Sequence, residues 1–199
     1  MEQISSPILL LVEGVTDKAF IEKLLALHML ASHKTKFDVE AIGGYDKLKP
    51  FVEGFYDRTN ANNVKVLAAI VDADEHPQLR NTDVDTLLQT VRTKELLTDH
   101  LLLPDNQTSG ALESLVLKTL SRKDLACASQ YVGCAASISA LNQAQTDKLS
   151  LYAWTSQQQK EPTNNFMRPK VDGARSIDFQ HEAFAAIKDF LLKLANYVQ

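Results

Sequence analysis

Cysteine, tryptophan, glycine-rich loops and long apolar runs are what this sequence has least of. The two cysteines, Cys127 and Cys134, stand seven apart in a segment of helical spacing, neither a metal-knuckle nor a redox-pair interval. They read as free, buried thiols of a reducing compartment, which excludes a disulfide-stapled scaffold. The apolar run near the start covers only residues 7–12. A bilayer-crossing helix needs about 18 to 20, and no basic segment precedes the run, so neither a membrane span nor a signal peptide is expected and the location reads as cytoplasmic. Positive charge is short as well: 21 basic against 25 acidic residues leave a net charge of −4. Coating nucleic acid by bulk charge is therefore disfavoured, although a local basic groove is not. There is no Gly-x-x-x-x-Gly-Lys phosphate loop and no Gly-x-Ser-x-Gly elbow. The five histidines share no ligand spacing; His181-Glu182 opens like a zinc-protease helix, but Ala185 stands where the second histidine belongs. Zinc is not expected.

What is present is a chain of 199 residues, 45% hydrophobic and 23% charged, the profile of one ordinary globular unit. Such a chain buries roughly 70% of its extended surface without staples. Residues 8–12 form an apolar run too short for a helix, followed by Glu13-Gly14-Val15-Thr16-Asp17 and then by apolar residues at helical spacing. This reads as strand, tight turn and helix, with Thr16 as N-cap and Asp17 in the first turn. Residues 37–42 alternate and end at Gly43-Gly44, a second strand closed by a turn, with a short helix over about residues 47–57. Residues 64–71 read as a central parallel strand and stop at Asp72-Ala73-Asp74. A helix over residues 82–97, a strand over 100–103 ended by Pro104, and a helix from Gly110 complete an alternation that predicts an α/β layer with a mostly parallel sheet. Beyond residue 120 only helices are expected, over residues 124–141, 143–156 and 179–198, with a long loop over 157–176. That divides the chain into an α/β core, residues 1–120, and a helical C-terminal extension, residues 121–199.

Ligands in open α/β sheets sit outside the carboxyl ends of the strands. Carboxylates recur at those ends: Glu13 after the first strand, Asp72 and Asp74 after the third, Asp105 after the fourth. Two apart in an extended segment, Asp72 and Asp74 point the same way, and Glu13 and Asp17 approach one another across a helix start. Crowded carboxylates repel and raise one another's pKa unless a cation neutralises them, and an all-oxygen set suits Mg²⁺ or Mn²⁺. Singly, Asp17 reads first as a cap, Glu113 as an ordinary first-turn residue and Asp105 as a turn former. The charge is unevenly placed along the chain, since Asp72, Asp74, Glu75, Asp83 and Asp85 face only Arg80, whereas residues 160–175 hold Lys160, Arg168, Lys170 and Arg175.

Leu10-Leu11-Val12-Glu13-Gly14 with Asp17 close behind, then Ile70-Val71-Asp72-Ala73-Asp74, resemble the two signatures of the Toprim fold of primases, type II topoisomerases and OLD-type nucleases. Leu103-Pro104-Asp105-Asn106-Gln107 with Gly110-Ala111-Leu112-Glu113, and later Tyr152-Ala153-Trp154 with Lys160-Glu161-Pro162, resemble a family of small prokaryotic Toprim-like proteins related to OLD nucleases. The resemblance implies a Toprim-like, Rossmann-like sheet and a Mg²⁺-dependent site for phosphodiester chemistry on DNA or RNA. By the same resemblance Glu13, Asp72 and Asp74 hold metal or move protons. Asp17, Ser109, Glu113 and Lys160 fall where those nucleases place a further acid, a serine, a glutamate and a lysine. The metal set it implies is Glu13, Asp17, Asp72, Asp74 and Glu113, with Lys160 offsetting transition-state charge and Ser109, Arg168, Lys170 and Arg175 on the nucleic acid. No ATPase domain is fused to the motifs, so energy coupling would require a separate ATPase partner. Apolar positions on the C-terminal helices would permit a homodimer. The alternative is a non-catalytic module that binds nucleic acid or nucleotide for a partner complex.

Overall fold

The run after Pro7 is strand β1 (Ile8–Val12), buried at all five positions. A computed structural model of the protein describes residues 4–58, 60–137, 140–158 and 177–198. Continuous apolar residues can be buried on both faces only in a central strand, and β1 lies between β2 (Phe37–Ala41) and β3 (Val66–Asp72), with β4 (Leu97–Leu103) outside β3. All three pairings are parallel, in the order β2-β1-β3-β4. In register, Val12 meets Ala41 on one side and Ile70 on the other, so Glu13 and Asp72 leave the sheet at the same edge.

Side chains of a strand alternate between faces, and this splits the core in two. Ile8, Leu10 and Val12 face helix α1 (Val15–Leu25), the one-turn α2 (His28–Ala31), α5 (Leu112–Lys118), α7 (Gln143–Gln158) and α8 (Ala185–Asn196). Leu9 and Leu11 face α3 (Leu48–Glu53) and α4 (Pro77–Gln89). Helix α6 (Arg122–Ala136) packs on α7, and Ser121 caps it by accepting the Asp124 N–H at 3.3 Å. Trp154 of α7 is buried in the first of these cores, which also holds the α8 stripe of Ile187, Leu191 and Leu194. The α/β layer with a parallel sheet flanked by helices is the one the sequence predicts, and it is consistent with a Toprim-like fold. Among the described residues no helix is long and apolar enough to cross a membrane.

The differences from expectation have local causes. Helix α1 begins at Val15 with Gly14 as N-cap, and Thr16 is not the cap, because the Asp17 carboxylate takes the Gly14 N–H at 2.7 Å. Helix α4 starts at Pro77 and not at residue 82, since proline is preorganised for a first helical position. Strand β4 starts three residues early, at Leu97: the polar Thr98-Asp99-His100 stretch is only half-buried and hides the strand pattern. The last helix begins at Ala185 after a short 3-10 turn over Glu182–Phe184. Cys134 is a free but exposed thiol, contrary to the expected burial.

Leu10 is fully buried between Val39 and Ala68 of the neighbouring strands. Its replacement by alanine leaves a cavity in a close-packed layer and is expected to cost about 2–5 kcal/mol, read as a lowered urea midpoint with unchanged slope.

Candidate metal centre at the carboxyl edge of the sheet

Glu13 follows the last residue of β1, and its carboxylate reaches across the sheet edge. Its Oε1 accepts the Asp72 N–H at 2.9 Å, so a side chain makes the bond that the β1–β3 ladder no longer supplies. The Glu13 carbonyl accepts the N–H groups of Gly43 and Gly44 at 2.8 and 2.9 Å. Both glycines have positive φ, 87° and 119°, which explains this residue type in the turn after β2.

Asp72, the last residue of β3, is turned toward α5 and α7. Its Oδ1 accepts the Leu112 N–H at 3.0 Å, and Lys148 Nζ lies 4.0 Å from Oδ2. Asp74 turns away. It has φ 51°, its backbone exchanges two 3.0 Å hydrogen bonds with Gly110, and its Oδ2 meets Arg80 Nη2 at 2.6 Å. Arg80 in turn lies over the Tyr45 ring, 3.6 Å from its centroid. The expectation that Asp72 and Asp74 point the same way therefore fails, because the chain leaves the extended conformation at Asp74. Gly110 has no room for a side chain: a Cβ would come within 2.8 Å of Ser114 Oγ.

Burial is the largest influence on the cluster's proton affinities, and it raises them. Asp72 is held well above the usual aspartate range by desolvation, then by the charges of Glu13, Glu113 and Asp17, with Lys148 opposing. Desolvation likewise raises Glu13 despite the Asp72 N–H, and the charges of Asp74 and Asp17 add to the rise. Desolvation raises Asp17, opposed by the Gly14 N–H and Lys148. It raises Glu113 too, where Lys148 lowers and Asp17 raises. Lys148 shows the converse: burial disfavours its charge, but Glu113, Asp72, Asp74 and Glu13 together outweigh that and raise it. Mutual electrostatic influence thus joins Glu13, Asp17, Asp72, Glu113 and Lys148, with Asp74 and Arg80 at one side.

Lys148 is the residue that sequence reasoning missed. It lies on α7, half-exposed, at a position where helical periodicity makes a lysine unremarkable. Only the docking of α7 on α5 brings it to the cluster, and the neighbouring Asp147 secures that docking. Asp147 is buried, accepts a short hydrogen bond from Ser114 Oγ and takes the Gln143 amide at 2.8 Å. Ser114 Oγ also accepts the Ala111 N–H at 3.1 Å, one residue before the amide that holds Asp72. Lys160, Arg168, Lys170 and Arg175 lie outside the described residues. Ser109 is exposed on the loop after β4, its hydroxyl donating to the Glu75 carbonyl at 3.2 Å. Asp105 shapes that same loop by accepting from the Gln107 and Thr108 N–H groups at 3.0 and 2.8 Å, the turn role its position suggests.

Among the described residues, no three histidine, cysteine, aspartate or glutamate side chains form a ready-made ligand set. Mg²⁺ needs no all-protein cage: it keeps several waters and is commonly held through one or two carboxylates. Glu13 and Asp72 suit that use, since each commits one oxygen to a backbone N–H, and the second Asp72 oxygen lies 4.0 Å from Lys148 Nζ, beyond hydrogen-bond distance. The residues present fit a hard divalent ion.

Residues 7–196 match the family described as "Protein of unknown function (DUF3226)". The chain belongs to this family. No curated protein matches it. Among solved structures, the chain is similar to the C-terminal region of the OLD protein of Xanthomonas campestris pv. campestris, determined with iodine, mercury and platinum phasing. The iodine structure is 11% identical over 96% of both chains with a TM-score of 0.46. The mercury structure is 15% identical over 96% of this chain and 97% of that one, with a TM-score of 0.42.

In this DUF3226 member, raised carboxyl pKa values carry a sign for stability. A group whose folded pKa lies above its unfolded value contributes fully below the unfolded pKa, here near 3.8 for Asp72, and the contribution is lost as pH rises through the folded value. Asp72→Asn keeps an acceptor for the Leu112 N–H and removes the buried charge. The variant is expected to melt several degrees above wild type at pH 8 in chelator, with the gap closing toward pH 4. Added Mg²⁺ should raise the wild-type melting temperature more than that of the variant; thermal denaturation across pH and metal concentration checks both.

Proposed function

We propose that this chain is a Toprim-like, OLD-related enzyme that cleaves phosphodiester bonds in nucleic acid with Mg²⁺ or Mn²⁺. One observation carries the reading: partly buried carboxylates from the ends of β1 and β3 and the start of α5 share one electrostatic site with a lysine beside them. Elevated carboxyl pKa values without full charge pairing are the state that a divalent cation relieves. The motif order of Glu13, Asp17, the Asp72-x-Asp74 pair and Glu113 supports the same reading through its resemblance to Toprim nucleases.

In this reading Glu13 and Asp72 hold the metal, each oriented by a backbone amide, and Asp17 and Glu113 contribute charge or bind its water ligands. The metal, when bound, would supply an activated water and a Lewis acid for the phosphate oxygen. Lys148 takes the part assigned by resemblance to Lys160, placing positive charge beside the phosphate as negative charge develops on its oxygens. Arg80 holds Asp74 and rests on Tyr45, which fixes the rim of the site.

A second reading, a binding module without turnover, is favoured by the Asp74–Arg80 pair, in which a protein cation already occupies the carboxylate. Cleavage of single-stranded and supercoiled DNA and of RNA, with Mg²⁺, Mn²⁺ or chelator, separates the two. The enzyme reading expects metal-dependent cleavage that falls by about 10²-fold or more in Asp72→Asn and in Lys148→Gln, the loss typical when one charge-stabilising group is removed. Absence of cleavage on all three substrates, with nucleic-acid binding retained, would favour the module.

A further inference from the structure

One cavity lined by described residues shares no side chain with the carboxylate cluster. It is a cleft of about 880 Å³ along the free edge of β2, with α1 on one wall and α3 and the segment after it on the other. Ile42 N–H donates to the Val12 carbonyl at 2.9 Å. Backbone groups alternate in direction along a strand, so residues 38 and 40 turn theirs to β1 while 37, 39 and 41 turn theirs to the open edge. The Phe37 N–H is taken by the Lys34 carbonyl. Val39, at the middle, presents both its N–H and its C=O outward. Among the described residues no strand pairs with this edge, and an edge of this kind is a template for another strand.

The side chains specify which strand. Phe37 and Val39 are buried toward α1, so Asp38 and Glu40 stand on the opposite face, where Asp57 also lines the cleft. Of the cations in the cleft, Lys18 belongs to the α1 wall, Lys34 precedes the strand, and the Arg58 guanidinium is stacked on Phe51 at 3.6 Å. Burial disfavours charge on Asp38, but N–H bonds from Ser5 and Ser6 outweigh it and hold the carboxyl below its usual range, so it is ionised at neutral pH. A second copy is a poor occupant: symmetric antiparallel pairing about Val39 would set Asp38 against the other copy's Glu40 twice, and like charges directly opposite are destabilising.

We propose that the free edge of β2 docks an extended segment of another protein that carries Lys or Arg at alternate positions. The segment adds antiparallel as a fifth strand, paired to Val39 through the backbone, with its basic side chains facing Asp38, Glu40 and Asp57. Main-chain hydrogen bonds then supply affinity and the alternate charges supply selectivity.

The test uses the whole chain and the peptide acetyl-Val-Lys-Val-Lys-Val-amide, by calorimetric titration and ¹H–¹⁵N amide shifts. Saturable binding is expected, with shifts centred on Phe37, Val39 and Ala41. Replacing both peptide lysines by glutamate, or N-methylating the central valine, is expected to weaken binding at least tenfold, and so is Glu40→Lys in the protein. The peptide variants need no change in the protein, so a folding defect in Glu40→Lys would not blunt the experiment. The proposal is overturned by equal binding of the N-methyl peptide, which would mean bulk charge attraction, or by shifts centred on Glu13 and Asp72, which would mean the basic peptide sits in the carboxylate cluster. Absence of binding at millimolar peptide, or a wild-type dimer paired through β2, would overturn it as well.

Discussion

The bond from the Asp72 N–H to the Glu13 carboxylate is the contact on which the site depends. Parallel strands β1 and β3 reach the same edge with a two-residue offset, and beyond Val12 the ladder has no backbone partner to offer. A glutamate side chain supplies it. That choice partly buries a carboxylate beside the aspartate whose amide it accepts, and the Glu13 charge then raises the proton affinity of Asp72. The cost of keeping them is spread over the surrounding structure: Leu112 N–H on Asp72, Gly14 N–H on Asp17, Lys148 above the group. Buried charge is tolerated only where such partners exist.

Those partners come from separate segments, and each segment is held in turn. The turn after β2 hangs its two positive-φ glycines from the Glu13 carbonyl. The loop before α5 is pinned by the Asp74–Gly110 pair and by Ser114, and Ser114 is shared with Asp147 of α7. One chain of contacts therefore connects the residue that places Lys148 to the amide that orients Asp72. A change at Asp147 would reach the carboxylates without touching them.

Much of this is legible in the sequence. Five apolar residues, Ile8 to Val12, are too few for a helix and read as a strand, and the structure buries it on both faces. The run ending at Asp72 reads as a central parallel strand, and both ends carry the carboxylates that the structure brings together. Where the reading erred, a local competitor had won. Asp17 caps Gly14 in place of Thr16, and Asp74 departs from the strand direction because its backbone pairs with Gly110. In β4, Thr98-Asp99-His100 conceals a strand whose outer half is only partly buried.

Hydrophobic periodicity and strand-end chemistry are local properties, and from them the sequence alone determined the alternating α/β order, the central strands and the positions of Glu13, Asp17, Asp72 and Glu113. Which cation stands over these carboxylates was a tertiary decision. Lys148 is one polar residue on an amphipathic helix, and nothing within α7 distinguishes it from a solvated lysine. It reaches Asp72 only because Ser114 and Gln143 fix a buried Asp147 one residue before it, and because Leu151 and Trp154 seat the helix in the sheet's core. Charge partnership at a site is a matter of distance in space, and the docking of one element on another sets that distance.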